Sequence, residues 1–266
     1  MVYQEKCIMA VFKEIYNYRE MIFSLVKKDL RGRYKGSVLG FLWTFINPLF
    51  QLLVYTMVFS VIMRSGIENY YLFLFVALVP WIFFSTSLTG GATCILGSAD
   101  MVKKIYFPRE VIPVSYVTSM FVNMVLSFLV VFAVILVTGY GFNYSALLFL
   151  PLIMAVEYFL ALGMALLASA LTVYFRDLAY ILGIVTMAWQ FLTPVMYASS
   201  MVPAELMPVW HLNPMTPVIE AYRDVLYYKQ VPHIRTLSMA CLLGVFFLLA
   251  GELCFRKLQR GFAEEM

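Results

Sequence analysis

Lys27-Lys28-Asp29-Leu30-Arg31-Gly32-Arg33-Tyr34-Lys35-Gly36-Ser37 runs without a break into an apolar stretch over residues 38–63, and this junction decides the fold. The apolar stretch carries no charged residue and exceeds the roughly 20 residues that a helix needs to cross a bilayer. Five more segments of the same kind follow, at about 71–96, 111–138, 146–174, 178–197 and 236–255. The chain of 266 residues is 63% hydrophobic and 13% charged, against roughly half and a quarter in soluble domains. One water-soluble core cannot absorb that excess. The expected architecture is an all-α polytopic membrane protein with six spans, forming a single transmembrane domain over 1–266. The first apolar run starts too far into the chain, is too long and lacks the small-residue cleavage site of a signal peptide.

Orientation follows from the basic residues. With a cytoplasmic N-terminus, six spans leave only Arg64, Arg223, Lys229 and Arg235 outside, out of 19 lysines and arginines. The positive-inside rule therefore predicts that both termini are cytoplasmic. The net charge of +4 reflects this bias and does not point to a nucleic-acid partner. Cys7 falls on the cytoplasmic side and Cys94, Cys241 and Cys254 in or near spans, so no disulfide is expected.

Three segments outside the spans carry pattern. Over 9–35, Val11, Phe12, Ile15, Met21, Ile22, Leu25 and Val26 recur at helical spacing opposite Lys13, Glu14, Arg19, Glu20, Lys27 and Lys28. This predicts an amphipathic helix lying along the membrane interface. Its basic end, Arg31, Arg33 and Lys35, can hold a phosphate through charge-assisted hydrogen bonds. Over 98–107, Ser98 stands at a capping position, Met101, Val102, Ile105 and Tyr106 share one face, and Pro108 stops the winding. A short cytoplasmic helix with an apolar face packs either on its own spans or in a cleft of a soluble subunit. The segment 198–235 carries Pro203, Pro208, Pro214, Pro217 and Pro232, yet remains too apolar around 215–226 for a solvated loop. Two short helices re-entering the outer leaflet are expected there, because broken backbone at membrane depth must be buried in protein or line a cavity. Such a segment is a structural cap or a gate, with Asn213, Pro214, Val218 and Ala221 as gate candidates.

Within the spans, Glu157 is the one acidic residue deep in an apolar segment, a functional candidate by position. Gly36 and Gly40 make a small-xxx-small pattern that permits close helix contact. Trp43, Phe45, Tyr55, Phe59, Trp81, Phe84 and Trp189 are lipid-facing or core aromatics, or ring faces for a passing carbohydrate. The chain has no Gly-x-x-x-x-Gly-Lys-Ser/Thr loop, so ATP-driven work falls to another polypeptide. With two histidines, no Cys/His cluster and no Gly-x-Ser-x-Gly, no metal or catalytic constellation is in view.

The entry Arg33-Tyr34-Lys35-Gly36-Ser37-Val38-Leu39-Gly40-Phe41-Leu42-Trp43 with Asn47-Pro48 resembles that of the type-2 ABC exporter permeases of polysaccharides. Three more patches agree in order: 104–113, Tyr174-Phe175-Arg176-Asp177, and Asn213-Pro214-Met215-Thr216-Pro217. The resemblance implies a homodimer with two separate nucleotide-binding subunits, which carry ATP and Mg, in the bacterial inner membrane. It implies as substrate an undecaprenyl-diphosphate-linked glycan such as O antigen, capsule or teichoic acid. Arg31, Arg33 and Lys35 would then meet the pyrophosphate, the aromatics would line a channel between protomers, and 98–107 would be the coupling helix. Two other readings share part of this pattern: a type-2 ABC permease for a drug or small lipid, and a membrane enzyme acting on a lipid-linked substrate.

Overall fold

In the computed structural model, residues 15–64, 66–207, 210 and 212–265 are described, with Arg33, Tyr34 and Ala263 described by backbone alone. Residues 9–14 of the expected interface helix lie outside them, as do Cys7 and His211. Every regular element among the described residues is helical.

Helix α1 (Arg19–Tyr34) follows a helical turn at 15–17 and a break at Tyr18. Ile15, Tyr18, Met21, Ile22 and Leu25 pack on the core while Lys27 and Lys28 stay exposed, as the helical spacing requires. The Ser119 hydroxyl donates to Asp29 Oδ2 at 2.5 Å and ties α1 to the third span. Lys35 turns extended and Gly36 takes φ +83°, a left-handed conformation that suits glycine. That turn carries the chain into the membrane. A Cβ at Gly36 or Gly40 would meet no atom within 4 Å. The expected close helix contact is therefore absent at this pair among the described residues.

The first span runs over Gly40–Ile62. It opens with a 3-10 turn, continues as α2 (Trp43–Thr56) and closes in a π-helical turn over Met57–Ile62. Pro48 sits inside α2 and removes the donor that Thr44 C=O needs; Ser127 Oγ donates to that carbonyl at 3.4 Å. The second span, α3 (Tyr70–Thr93), is apolar all round and occupies the centre, with Leu72–Leu78 wholly buried. The next helix, α4 (Ala99–Lys104), is shorter than the expected 98–107, because Ile105 goes extended at φ −126°, ψ 136°. Then come α5 (Val111–Val137), the single turn α6 (Tyr144–Leu147), and α7 (Leu150–Tyr174). They are followed by α8 (Leu178–Leu192), α9 (Met215–Leu226), α10 (Ile234–Leu258) and α11 (Phe262–Glu265).

Among the described residues, five helical stretches are long and apolar enough to cross a membrane; α8, at 15 residues, is not one of them. It spans about 22 Å, short of the roughly 30 Å hydrocarbon core. The expected span 178–197 stops at Leu192 because Thr193 precedes Pro194 and takes the extended conformation (φ −100°, ψ 141°) that a following proline favours. Packing nonetheless makes this segment a crossing. Gly244 lies against Val156, Gly163 against Phe247 and Leu248, and the Tyr174 hydroxyl donates to Leu258 O at 2.7 Å, so α7 and α10 run parallel. The chain between them must return to the end from which α7 set out. It does so along α3: Phe84 packs edge-on to Trp189, and the Tyr70 hydroxyl donates to Met196 O at 2.8 Å. Residues 178–197 thus cross as a helix continued by extended chain.

At the α7–α10 crossing a Cβ on Gly163 would come within 2.4 Å of the Phe247 and Leu248 backbone, and one on Gly251 within 2.0 Å of Gly163 O. Glycine at both positions lets the two backbones touch. The segment 198–235 dips back between the helices, with α9 as its one α-helix among the described residues. Asn213 Oδ1 accepts from Trp189 Nε1 at 3.0 Å, and Trp189 meets α3 at Phe84, about 20 Å along that helix from Tyr70. From there α9 climbs to Tyr227, whose hydroxyl donates to Glu68 O beside the start of α3.

Candidate functional site

Two ends of the bundle carry the chemistry. At one end, α1 and the turn to α2 present Lys27, Lys28, Arg31 and Lys35 to the outside. Neither Arg31 nor Lys35 has a hydrogen-bond or ion-pair partner among the described residues; the Arg33 side chain lies outside the description. Trp43 is exposed, and its Nε1 donates to Ser37 Oγ at 3.1 Å. Trp43 is also on the wall of a cavity of about 340 Å³ between α2, α3 and α5. Thr44, Asn47, Thr86, Asn123 and Ser127 give that cavity polar groups in otherwise apolar walls. Asn123 is not among the sequence candidates, which within spans are acidic, aromatic or small residues. The signal was there, a lone amide in the apolar stretch of α5. Uncompensated cations beside a polar-lined crevice suit an anionic head group with a hydrogen-bonding extension.

The aromatic candidates divide. Phe45 meets Phe41 edge-on, Tyr55 is half-buried and Phe59 stacks on Tyr70 at 6.2 Å. Trp81 and Phe84 are buried in the core, 5.6 Å apart, and Trp189 is fixed by Asn213.

The expected common face of residues 98–107 also divides. Val102 is buried and Met101 half-buried, whereas Ile105 and Tyr106 project outward, Tyr106 at 88% exposure. Ser98 occupies the N-cap position of α4 without a side-chain cap bond. Just beyond, Gln259 Nε2 donates to Glu110 Oε1 at 2.7 Å, Arg109 Nη1 donates to Gln259 O, and Arg176 Nη2 donates to Glu265 O at 3.4 Å. The patches 104–113 and 174–177 are thus joined through the C-terminal tail, a link that no local pattern announced.

The opposite end is closed by side chains bound to backbone. Tyr140 Oη donates to Tyr227 O at 2.8 Å, Lys229 Nζ to Tyr140 O at 2.7 Å, and Asn143 Nδ2 to Lys229 O at 2.9 Å. Burial raises the Tyr140 phenol above its ordinary value, and Glu68 adds to the rise, so the hydroxyl remains a donor at neutral pH. Arg223 is buried, donates from Nη1 to Tyr197 O at 3.1 Å and from Nη2 to Val195 O at 2.7 Å, and lies over the Phe73 ring at 3.6 Å. It satisfies carbonyls that the non-helical stretch after α8 leaves open. Of the gate candidates, Asn213 accepts from Met215 N and donates to Leu192 O and Thr193 Oγ1. Pro214 is the N-cap of α9, and Val218 and Ala221 are wholly buried. Glu157 accepts from the Tyr222 hydroxyl of α9 at 2.6 Å. Its partner thus comes from the re-entrant segment.

A bundle of apolar helices with a basic amphipathic helix at its entry and a re-entrant helix at its far end has the build of a membrane transport subunit. The chain belongs to the ABC-2 type transporter family, whose sequence pattern matches residues 20–227. It is 35% identical over 261 residues to the O-antigen export system permease protein RfbA of Myxococcus xanthus, covering 97% of this chain and 100% of that one. With the RfbA permease of Klebsiella pneumoniae it shares 32% identity over 92% of this chain and 94% of the relative. With the polysialic acid transport protein KpsM of Escherichia coli it shares 22% over 85% and 90%.

Proposed function

We propose that this protein is the transmembrane subunit of an ATP-driven exporter that moves a polyprenyl-diphosphate-linked polysaccharide across the bacterial inner membrane. The observation that carries the reading is the polar-lined cavity behind Trp43 in the first span, with Arg31 and Lys35, which have no partner among the described residues, just ahead of that span in the chain. It supports capture of a diphosphate by the cations while the first sugars enter among hydroxyls and amides. The likeness to permeases named for O antigen over nearly the whole chain supports the same substrate class. The basic end is cytoplasmic by the positive-inside rule, and both termini lie there. Two copies form the pathway, with two separate ATPase subunits that bind ATP and Mg and dock on the outward side chains Ile105 and Tyr106. Trp43, Phe45, Tyr55 and Phe59 are the candidates for the channel wall, and α9 is the gate at the exit.

The test is export by the permease–ATPase complex in proteoliposomes supplied with the lipid-linked glycan. Replacing Arg31→Gln together with Lys35→Gln lowers export about tenfold while insertion and co-purification with the ATPase persist, as expected for lost charge-assisted contacts. Wild-type export by the double variant overturns the diphosphate site. ATPase stimulation by small hydrophobic compounds instead of the glycan overturns the substrate class.

A further inference from the structure

The far end holds a second cavity, of about 300 Å³, with polar walls in a bundle of apolar helices. Glu220 accepts one bond there, from Ser199 Oγ at 2.6 Å, and Asp224 accepts from Gln230 Nε2 at 2.7 Å. Each uses a single carboxylate oxygen, and neither second oxygen has a hydrogen-bond partner among the described residues. Arg223 also lines the cavity; it is 2% exposed, and its Nε–H is buried without an acceptor. The His233 imidazole is at the wall with no bond of its own among the described residues, and Tyr228 presents a half-exposed ring.

Unused donors and acceptors on one small concavity make a recognition surface, since a ligand that leaves them unpaired loses their desolvation cost. A sugar hydroxyl donates, so adjacent hydroxyls can satisfy the free carboxylate oxygens of Glu220 and Asp224 together. The Tyr228 ring offers an apolar face to the C–H side of a pyranose. The volume lies at the low end for ligand pockets and limits the occupant to one ring. Two carboxylates against one guanidinium leave the site without the positive charge that a phosphate or uronic acid needs. We infer that this cavity is a saccharide subsite that takes one uncharged pyranose unit of the glycan as it leaves the membrane. The inference rests on the export reading above and adds to it where the sugar is held.

The complex with its ATPase, in lipid nanodiscs, is offered the water-soluble glycan cut from the strain's own carrier lipid by mild acid, and saturation-transfer NMR reads the sugar ring protons. Transfer is expected with the wild-type protein and falls about fivefold or more in Tyr228→Ala and in Glu220→Gln, the size of one lost contact. His233→Ala, which removes a side chain with no partner among the described residues, lowers it as well. No transfer to the wild type, or equal transfer to all variants, overturns the subsite. Surface glycan is scored separately in cells lacking the permease. Export that continues without it overturns the export reading, whereas export that depends on it with no saturation transfer overturns the subsite alone.

Discussion

The first two spans are closely matched in apolar content, yet 78% of the most apolar stretch of α3 is buried within the chain against 6% of the stretch containing α2. On α3 the apolar side chains meet other helices on every side. On the first span, Phe50, Leu53 and Val54 of α2 and Met57 and Val61 of the turn after it are each more than half exposed. In water such a surface is a liability. In a bilayer it is neutral toward lipid and free to receive another helix, because hydrocarbon does not drive apolar helices together and only packing and polar contacts do. Apolarity therefore locates a span, while burial tells whether it is a pivot or a wall.

The comparison is broken most directly by one matched substitution in each helix. Leu74→Ala in α3 opens a cavity where no neighbour can collapse and lowers stability by about 2–5 kcal/mol, whereas Leu53→Ala on the outer face of α2 changes it by less than about 0.5 kcal/mol. Denaturant unfolding in micelles reads both, and equal losses would mean that the two faces do not differ. A second test uses exposed apolar groups that lie off the spans. Ile105, unlike Leu53, cannot be covered by lipid hydrocarbon, so Ile105→Asp reduces co-purification of the ATPase subunit about a hundredfold, the loss expected at a buried hot spot. Undiminished assembly would leave α4 and its extension without a partner. Val218 sharpens the contrast at the far end. A cysteine there, with the native cysteines replaced, stays unlabelled by a membrane-impermeant thiol reagent at rest, as its full burial requires, and reacts during transport. Labelling at rest places it at an open mouth; lack of labelling in both states makes α9 a fixed cap. The smallest effect is at the α2–α5 contact. Ser127→Ala removes a long hydrogen bond to the carbonyl that Pro48 frees and costs under about 1 kcal/mol in the same unfolding measurement.

Much of the architecture is legible from composition because a span has to be long and apolar whatever it packs against. The interface helix, the five long crossings and the re-entrant segment all follow from that requirement. In the fifth crossing the helix ends before the apolar run does, because the run continues through Pro194 although the helix cannot. Residues 98–107 were read as one helix face because Met101, Val102, Ile105 and Tyr106 fit a 3.6 period. The backbone leaves that period at Ile105, so two of the four turn inward and two outward. Gly36 and Gly40 matched a contact motif, but the touching pair is Gly163 with Gly251, 88 residues apart by subtraction of their numbers. Long-range partners of this kind, like Tyr222 for Glu157, leave no local trace. Neither does the face a span turns to its own chain, since an all-apolar helix has no polar side to mark the other.

The contact of Gly163 with Gly251 has a mechanical consequence. Clamped backbone to backbone, α7 and α10 act as the two posts of a handle, and everything from α8 to α9 is strung between them. A handle with fixed posts has no free end to swing. Any movement of α9 must therefore be a shift in place, taken up by the connections that join it to α8 and α10, and its amplitude is set by how much slack those connections hold.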